Sequence, residues 1–123
     1  MEHTACPFCN DSEAVLANEL AVARWDVFPV TPGHLLIVTR RHVADFFETT
    51  ADERQALFAL LQLAKDLLQR EHQPDGFNVG INVGEVAGQT IPHVHIHLIP
   101  RYRGDTPQPR GGVRGVIPHK QSY

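Results

Sequence analysis

The sequence predicts an α+β fold, a mainly antiparallel β-sheet packed with one long α-helix. Three observations carry this. Segments with strand patterning outnumber helical ones, and a single long amphipathic stretch lies mid-chain. The strand pairs toward either end have connections of turn length, which suit antiparallel neighbours. With 123 residues, 42% apolar and 20% charged, the chain is expected to form one domain over 1–123 around a core of its own.

Residues 1–13 hold turn formers around Cys6-Pro7-Phe8-Cys9 and show no periodicity, so a looped hook is expected there. Apolar residues over 16–27 recur as in one or two short strands, with Asn18-Glu19 as the turn. Residues 28–33 contain two prolines and a glycine and cannot be regular. Residues 34–39, His-Leu-Leu-Ile-Val-Thr, read as a buried strand. Thr50 and Glu53 form a capping box, each side chain satisfying a free backbone N–H of the other. Leu57, Leu60, Leu61, Ala64, Leu67 and Leu68 then follow on one helical stripe, which Pro74 and Gly76 end. Phe77, Val79, Ile81 and Val83 alternate with Asn78, Gly80, Asn82 and Gly84 as in a half-buried strand. A glycine-rich loop over 84–92 leads to a last strand over 93–99. An irregular basic tail over 101–123 follows.

No apolar run approaches the roughly 20 residues of a membrane span. The first residues lack the basic and apolar regions of a signal peptide. Two cysteines three positions apart cannot staple a secreted fold. A soluble, cytoplasmic chain with no membrane contact is therefore expected. The net charge of −3 argues against a nucleic-acid binder. Charge is unevenly spread: residues 1–100 carry 6 Lys and Arg against 13 Asp and Glu, and 101–123 carry 5 against 1. Such a tail can simply be solvated, or can meet an anionic substrate or a second subunit.

Chemistry concentrates in His93-Val94-His95-Ile96-His97-Leu98, which holds three of the chain's 8 histidines. Period two places the three imidazoles on one face, about 6.6 Å apart, and the apolar residues against the helix stripe. Alternating histidines can line a strand in solvent, bind a catalytic metal, or include a nucleophile tuned by its neighbours. An imidazole near its ordinary pKa of about 6.5 attacks phosphorus and also leaves it. The flanking loop favours that last chemistry, because Gly84, Gly88 and the backbone N–H groups of Gln89 and Thr90 can approach phosphate oxygens. Pro92 has no N–H, so the cradle ends before it.

Gly88-Gln89-Thr90-Ile91-Pro92-His93-Val94-His95-Ile96-His97-Leu98-Ile99 resembles the signature of the histidine-triad (HIT) superfamily of nucleotide hydrolases and transferases. Asp26-Val27, Pro32-Gly33-His34 and residues 82–89 resemble its ribose-contacting acid, first strand and phosphate loop. The resemblance implies that His95 attacks an α-phosphorus to form a nucleotidyl-histidine that water discharges, releasing a nucleoside monophosphate. It implies further that His97 and His34 surround the nucleophile, and that Asn82, Gly88, Gln89 and Thr90 hold phosphate. Asp26 would bind the ribose and Val27 would flank the base. The substrates so implied are purine nucleotides, above all dinucleoside polyphosphates such as diadenosine tetraphosphate or triphosphate. A nucleoside phosphoramidase and a nucleotide-binding regulatory module with little activity are the alternatives. A homodimer is implied by the same resemblance.

Cys6-Pro7-Phe8-Cys9 taken alone resembles a redoxin motif, but that chemistry places the pair after a strand, and only five residues precede it. A buried cysteine pair is a second reading. A structural zinc site is the third: two thiolates fill two corners of a tetrahedron and two ligands come from elsewhere. Resemblance to a zinc-binding branch of the superfamily implies His42 and His93 as those two. Thr39-Arg40-Arg41-His42 departs from that branch's usual Pro-Lys-x-His while keeping the spacing. His3, His72 and His119 match no motif and are expected at the surface. The tail arginines can be solvated, or can clamp distal phosphates bidentately or dock on a second subunit.

Overall fold

The computed structural model describes residues 5–123; His3 and the start of the expected hook lie outside them. Five strands are present: β1 (Ala14–Ala17), β2 (Ala21–Trp25), β3 (Leu35–Thr39), β4 (Gly76–Ile81) and β5 (His95–Arg101), with α1 (Ala51–Glu71) between β3 and β4. They form one sheet in the order β1-β2-β3-β5-β4, every pair antiparallel. The expected α+β class, the long helix and the strand-rich pattern are all found. The Asn18 turn is found too, its Oδ1 accepting the N–H groups of Leu20 and Ala21.

The sheet has one face for packing and one for chemistry. Residues directly opposite each other on paired strands share a face. Ala23, Ile37, Ile96 and Ile81 form one such row. With Leu35 and Leu98, this face buries against Leu57, Leu60, Ala64 and Leu68 of α1. The alternate row, Arg24, Leu36, His97 and Gly80, faces the other way. Helix α1 lies on the other side, and here Phe8 from the Pro7–Cys9 turn packs on part of the face, against Val22, Leu36 and Val38, which leaves space for a cleft.

The capping box is realised at the N-terminus of α1: Thr50 Oγ1 accepts the Glu53 N–H and Glu53 Oε1 accepts the Thr50 N–H. Glu53 is buried, and Arg41 clasps its carboxylate with two donors at 2.9 Å. The Arg41 hydrogen bonds hold that carboxyl below its ordinary range. Glu53→Ala is expected to remove about 2 kcal/mol by losing cap and ion pair together, while Glu53→Gln keeps the cap and loses about half. Denaturation at neutral pH checks this, and an alanine variant within 0.5 kcal/mol of wild type (about the spread of a neutral surface change) would count against it.

Two boundaries differ from expectation. The last strand starts at His95, not His93, because the backbone of 93 and 94 is engaged elsewhere: the His93 N–H donates to Ile91 and the Val94 N–H to Val43. The tail is more ordered than expected, with 3₁₀ turns at Gly112–Val116 and Pro118–Lys120. Arg110 and Arg114 both stack on the Tyr123 ring, and Arg101 is clasped by Asp105 and Asn78. No helix among the described residues is long and apolar enough to cross a membrane.

Candidate active site and metal cluster

A cleft of about 870 Å³ opens on the sheet face opposite α1. Two of the three triad histidines, His95 and His97, line it, as do His34, Asp26, Val27, Asn82, Gly88 and Thr90. His93 does not. It precedes the strand, so period two never applies to it, and its ring turns toward the N-terminal cysteines instead.

Hydrogen-bond partners, backbone for His95 and His34 and the His34 ring for His97, fix which nitrogen carries the proton. His95 Nδ1 lies 2.8 Å from the His93 carbonyl, so Nδ1 is the donor and Nε2 holds the lone pair. His34 Nδ1 accepts the Val30 N–H at 3.0 Å, which puts the His34 proton on Nε2. That nitrogen is 3.0 Å from His97 Nδ1 and 3.4 Å from Asp26 Oδ2. His97 Nδ1 therefore accepts, and its own proton sits on Nε2. The cleft thus holds a ring nitrogen with a lone pair on His95 beside an N–H donor on His97.

Burial pushes the His34 imidazolium down despite the opposing pull of Asp26. Burial, then the neighbouring His95 and His34, push His97 down to about 4. His97 is then neutral at pH 7, as the tautomer chain requires. An unfolded histidine takes up its proton near 6.5, so the unfolded state gains protons that the folded state refuses between about 6.5 and 4. Stability is complete above that window and falls as pH drops through it. Wild type is expected to lose on the order of 2 kcal/mol more than His97→Gln between pH 7 and 4.5, after allowance for solvent screening. Parallel denaturation curves for the two proteins at both pH values would refute this.

The second constellation joins Cys6, Cys9, His42 and His93, whose ligand atoms lie within 4.8 Å of one another. Cys6 Sγ is 3.4 Å and Cys9 Sγ 3.6 Å from His93 Nδ1, and Cys9 Sγ is 3.1 Å from His42 Nδ1. A tetrahedral zinc with ordinary bond lengths separates S and N ligands by about 3.5 Å. His93 Nε2 donates to the Thr39 carbonyl at 2.6 Å, which directs the Nδ1 lone pair at the thiols. Donor type, number and spacing all fit a structural metal. Burial and the Cys6 thiol raise the Cys9 pKa, a bias that a bound cation reverses. Asp26, His34 and His97 also converge within that distance. That group is a poor cation site, since a metal on His34 Nε2 would displace its proton while Nδ1 is engaged by Val30. His95 belongs to neither cluster.

The glycine loop departs from expectation at one residue. Gly88 has φ +99°, a conformation that strains any residue with a Cβ, and it lets the chain turn back toward Thr90. Gln89 spends its groups inside the loop: its N–H donates to Gly84, Oε1 accepts the Gly84 N–H, and Nε2 donates to Ala44 and Ile91. Gln89 braces the cradle, and its side chain and N–H are not turned to the cleft. Asp26 accepts the Phe28 N–H through Oδ1, and Val27 is exposed at the rim. His119 is exposed as expected, whereas His72 is half-buried, edge-on to Trp25.

Two residues of the cleft escaped the sequence reading. Phe8, between the two cysteines, is buried and packs edge-on against His95 with ring centres 5.0 Å apart. Arg24 lies over the Phe8 ring at 5.2 Å. A signal for Arg24 existed, since it is the one charge in Ala21-Val22-Ala23-Arg24-Trp25, on the phase opposite to the core residues. Nothing in the sequence marks Phe8 as a neighbour of His95.

Comparison with known proteins agrees with this geometry. The model of the HIT domain matches residues 8–104. An AP-4-A phosphorylase of Mycobacterium tuberculosis is 35% identical over 105 residues, covering 83% of this chain and 54% of that protein. An asymmetrical bis(5'-nucleosyl)-tetraphosphatase of Schizosaccharomyces pombe is 33% identical over 94 residues, covering 76% and 52%. The chain thus spans about half the length of these two relatives. Among solved structures, a Zn-bound histidine triad family protein from Mycobacterium smegmatis superposes with a TM-score of 0.77 at 29% identity, covering 87% of this chain and 82% of that one. Sheet order, triad and cysteine–histidine cluster together with these matches place the chain in the HIT-domain family.

Proposed function

We propose that the chain is an enzyme of nucleotide hydrolysis or nucleotidyl transfer that works at an α-phosphate through His95, on dinucleoside polyphosphates such as diadenosine tetraphosphate or triphosphate. The observation that carries this reading is the bond from His95 Nδ1 to the His93 carbonyl. It leaves the Nε2 lone pair facing the cleft, and it steadies the positive charge that the ring gains on attack. The His95 Nε2 pair forms a bond to the α-phosphorus, and the bond to the departing polyphosphate oxygen breaks. Water then attacks the same phosphorus, its proton passes to solvent, and the P–N electron pair returns to the imidazole. Inorganic phosphate in place of water would give a nucleoside diphosphate, as the phosphorylase relative suggests.

The other residues take roles that their donors permit. His97 Nε2–H donates to a non-bridging oxygen, oriented by His34. Asn82 and Thr90 hold phosphate beside Gly88, Gln89 keeps the loop in shape, Asp26 accepts from ribose hydroxyls, and Val27 flanks the base. Zinc at Cys6, Cys9, His42 and His93 would act as a cross-link and take no part in the reaction. The cytoplasm, where such thiols stay reduced, suits it. The β4 edge, which pairs with no further strand among the described residues, is the seam we propose for a homodimer.

The test is to incubate wild type with diadenosine triphosphate, diadenosine tetraphosphate and adenosine phosphoramidate, with and without inorganic phosphate, and to separate the products. AMP without added phosphate marks hydrolysis, and ADP that forms from diadenosine tetraphosphate or the phosphoramidate only when phosphate is added marks transfer, since the triphosphate releases ADP as its leaving group either way. Release of neither from any of the three overturns the proposal.

A further inference from the structure

The cleft wall contains one charged side chain that this chemistry leaves unused. Arg24 is 8% exposed, on β2, in the row that runs through Leu36 to His97. Its Nη1 donates to the carbonyls of Pro7 at 2.7 Å and Asn10 at 3.5 Å. Nε is buried with no hydrogen-bond partner, and no ion pair among the described residues includes Arg24. A planar guanidinium places Nε–H and Nη2 on the flank away from Nη1, as two parallel donors. That flank is the fork that grips a pair of adjacent acceptors, and the described residues supply none to it.

Position decides which part of a ligand could supply them. Arg24 lies two strands from His97, roughly 10 Å at the usual strand spacing. The glycine loop and Asn82 lie on the other side of β5, toward β4. Phe8 adjoins both His95 and Arg24, its ring centre 5.0 Å from that of the His95 ring and 5.2 Å from the Arg24 guanidinium carbon, so a base resting against Phe8 lies beside the fork. Lining the same cleft, Phe8, Val27 and Leu36 suit a flat apolar ring.

Resting on the nucleotide reading above, we propose that Arg24 reads the base and selects a 6-oxopurine, guanine or hypoxanthine, over adenine. A 6-oxopurine presents O6 and N7 as two adjacent acceptors, which match the fork. Adenine presents N7 beside an amino donor, which opposes it.

Calorimetry with GMP, IMP and AMP tests this on wild type, Arg24→Met and Arg24→Lys. Wild type is expected to bind GMP and IMP at least ~10-fold more tightly than AMP. IMP lacks the 2-amino group, so its agreement with GMP locates the edge that is read. Arg24→Met, which keeps the stem over Phe8, should bring the three ligands within about twofold without weakening AMP. Arg24→Lys keeps the charge without the fork and should lose the preference too, which covers failure of the methionine variant to fold. Equal binding of AMP and GMP by wild type, or a preference that survives in the variants, would overturn the proposal. So would an equal loss for all three ligands, which would make Arg24 a staple of the hook alone. Equal, His95-dependent cleavage of diadenosine and diguanosine tetraphosphates would sink base selection and leave the α-phosphate chemistry standing. Selective binding with no cleavage of either would do the reverse.

Discussion

His95→Gly is expected to lower release of AMP from diadenosine tetraphosphate by at least ~10³-fold, about 4 kcal/mol of transition-state stabilisation. The size follows from the kind of step lost. A side chain that only binds substrate contributes to affinity, whereas a nucleophile opens a two-step route that closes when it is removed. Glycine also removes the ring on which Phe8 packs, so folding must be checked by thermal melting beside the rates. The decisive complement is trapping: wild type quenched in early turnover should carry one nucleotidyl group per chain through an acid-labile P–N bond, and the variant none. Activity in the glycine variant within about tenfold of wild type would be too high for covalent catalysis through this residue.

Removing a metal from the proposed Cys6, Cys9, His42 and His93 site is expected to have the largest effect on stability. The four proposed ligands tie the hook to the segment after β3 through His42, and to the approach to β5 through His93. In that hook, the 3₁₀ turn Pro7–Cys9 buries Phe8 alone. Structural zinc can supply about 10–16 kcal/mol of folding free energy in small domains. If only ~3 kcal/mol is felt here, the melting temperature should fall by about 10 °C with a strong chelator or in Cys9→Ser. Turnover should also drop, because Phe8 bridges the hook and His95. A chelator that shifts melting by less than about 2 °C, with no metal found on the purified protein, would count against the site.

Local patterns made much of the fold legible. The Thr50–Glu53 box and the leucine stripe marked α1, and the alternation of Phe77, Val79 and Ile81 marked β4, because caps and periodicity are properties of neighbouring residues. The site was legible where a motif is contiguous, as in His95-Ile96-His97, or where resemblance supplied distant partners, as with His34 and His42. For Gln89 the sequence left open which partner the amide takes, for a physical reason. Its amide could serve a phosphate or its own loop, and sequence holds no information about which acceptor lies nearer.

By itself the sequence determined the α+β class, the elements, and the inventory of donors: two thiols, a glycine loop, and histidines in alternation. Only tertiary structure decided how that inventory is divided. His93 leaves the strand's period because its N–H and that of Val94 bond to Ile91 and Val43, which sends its ring to the cysteines. The tautomers of His34, His95 and His97 depend on carbonyls and amides brought close from other segments. Arg24 acquires an unmatched fork only once Pro7 and Asn10 have taken its other nitrogen. Each of these depends on an angle and a distance between residues far apart in the chain, and those exist only after the sheet has closed.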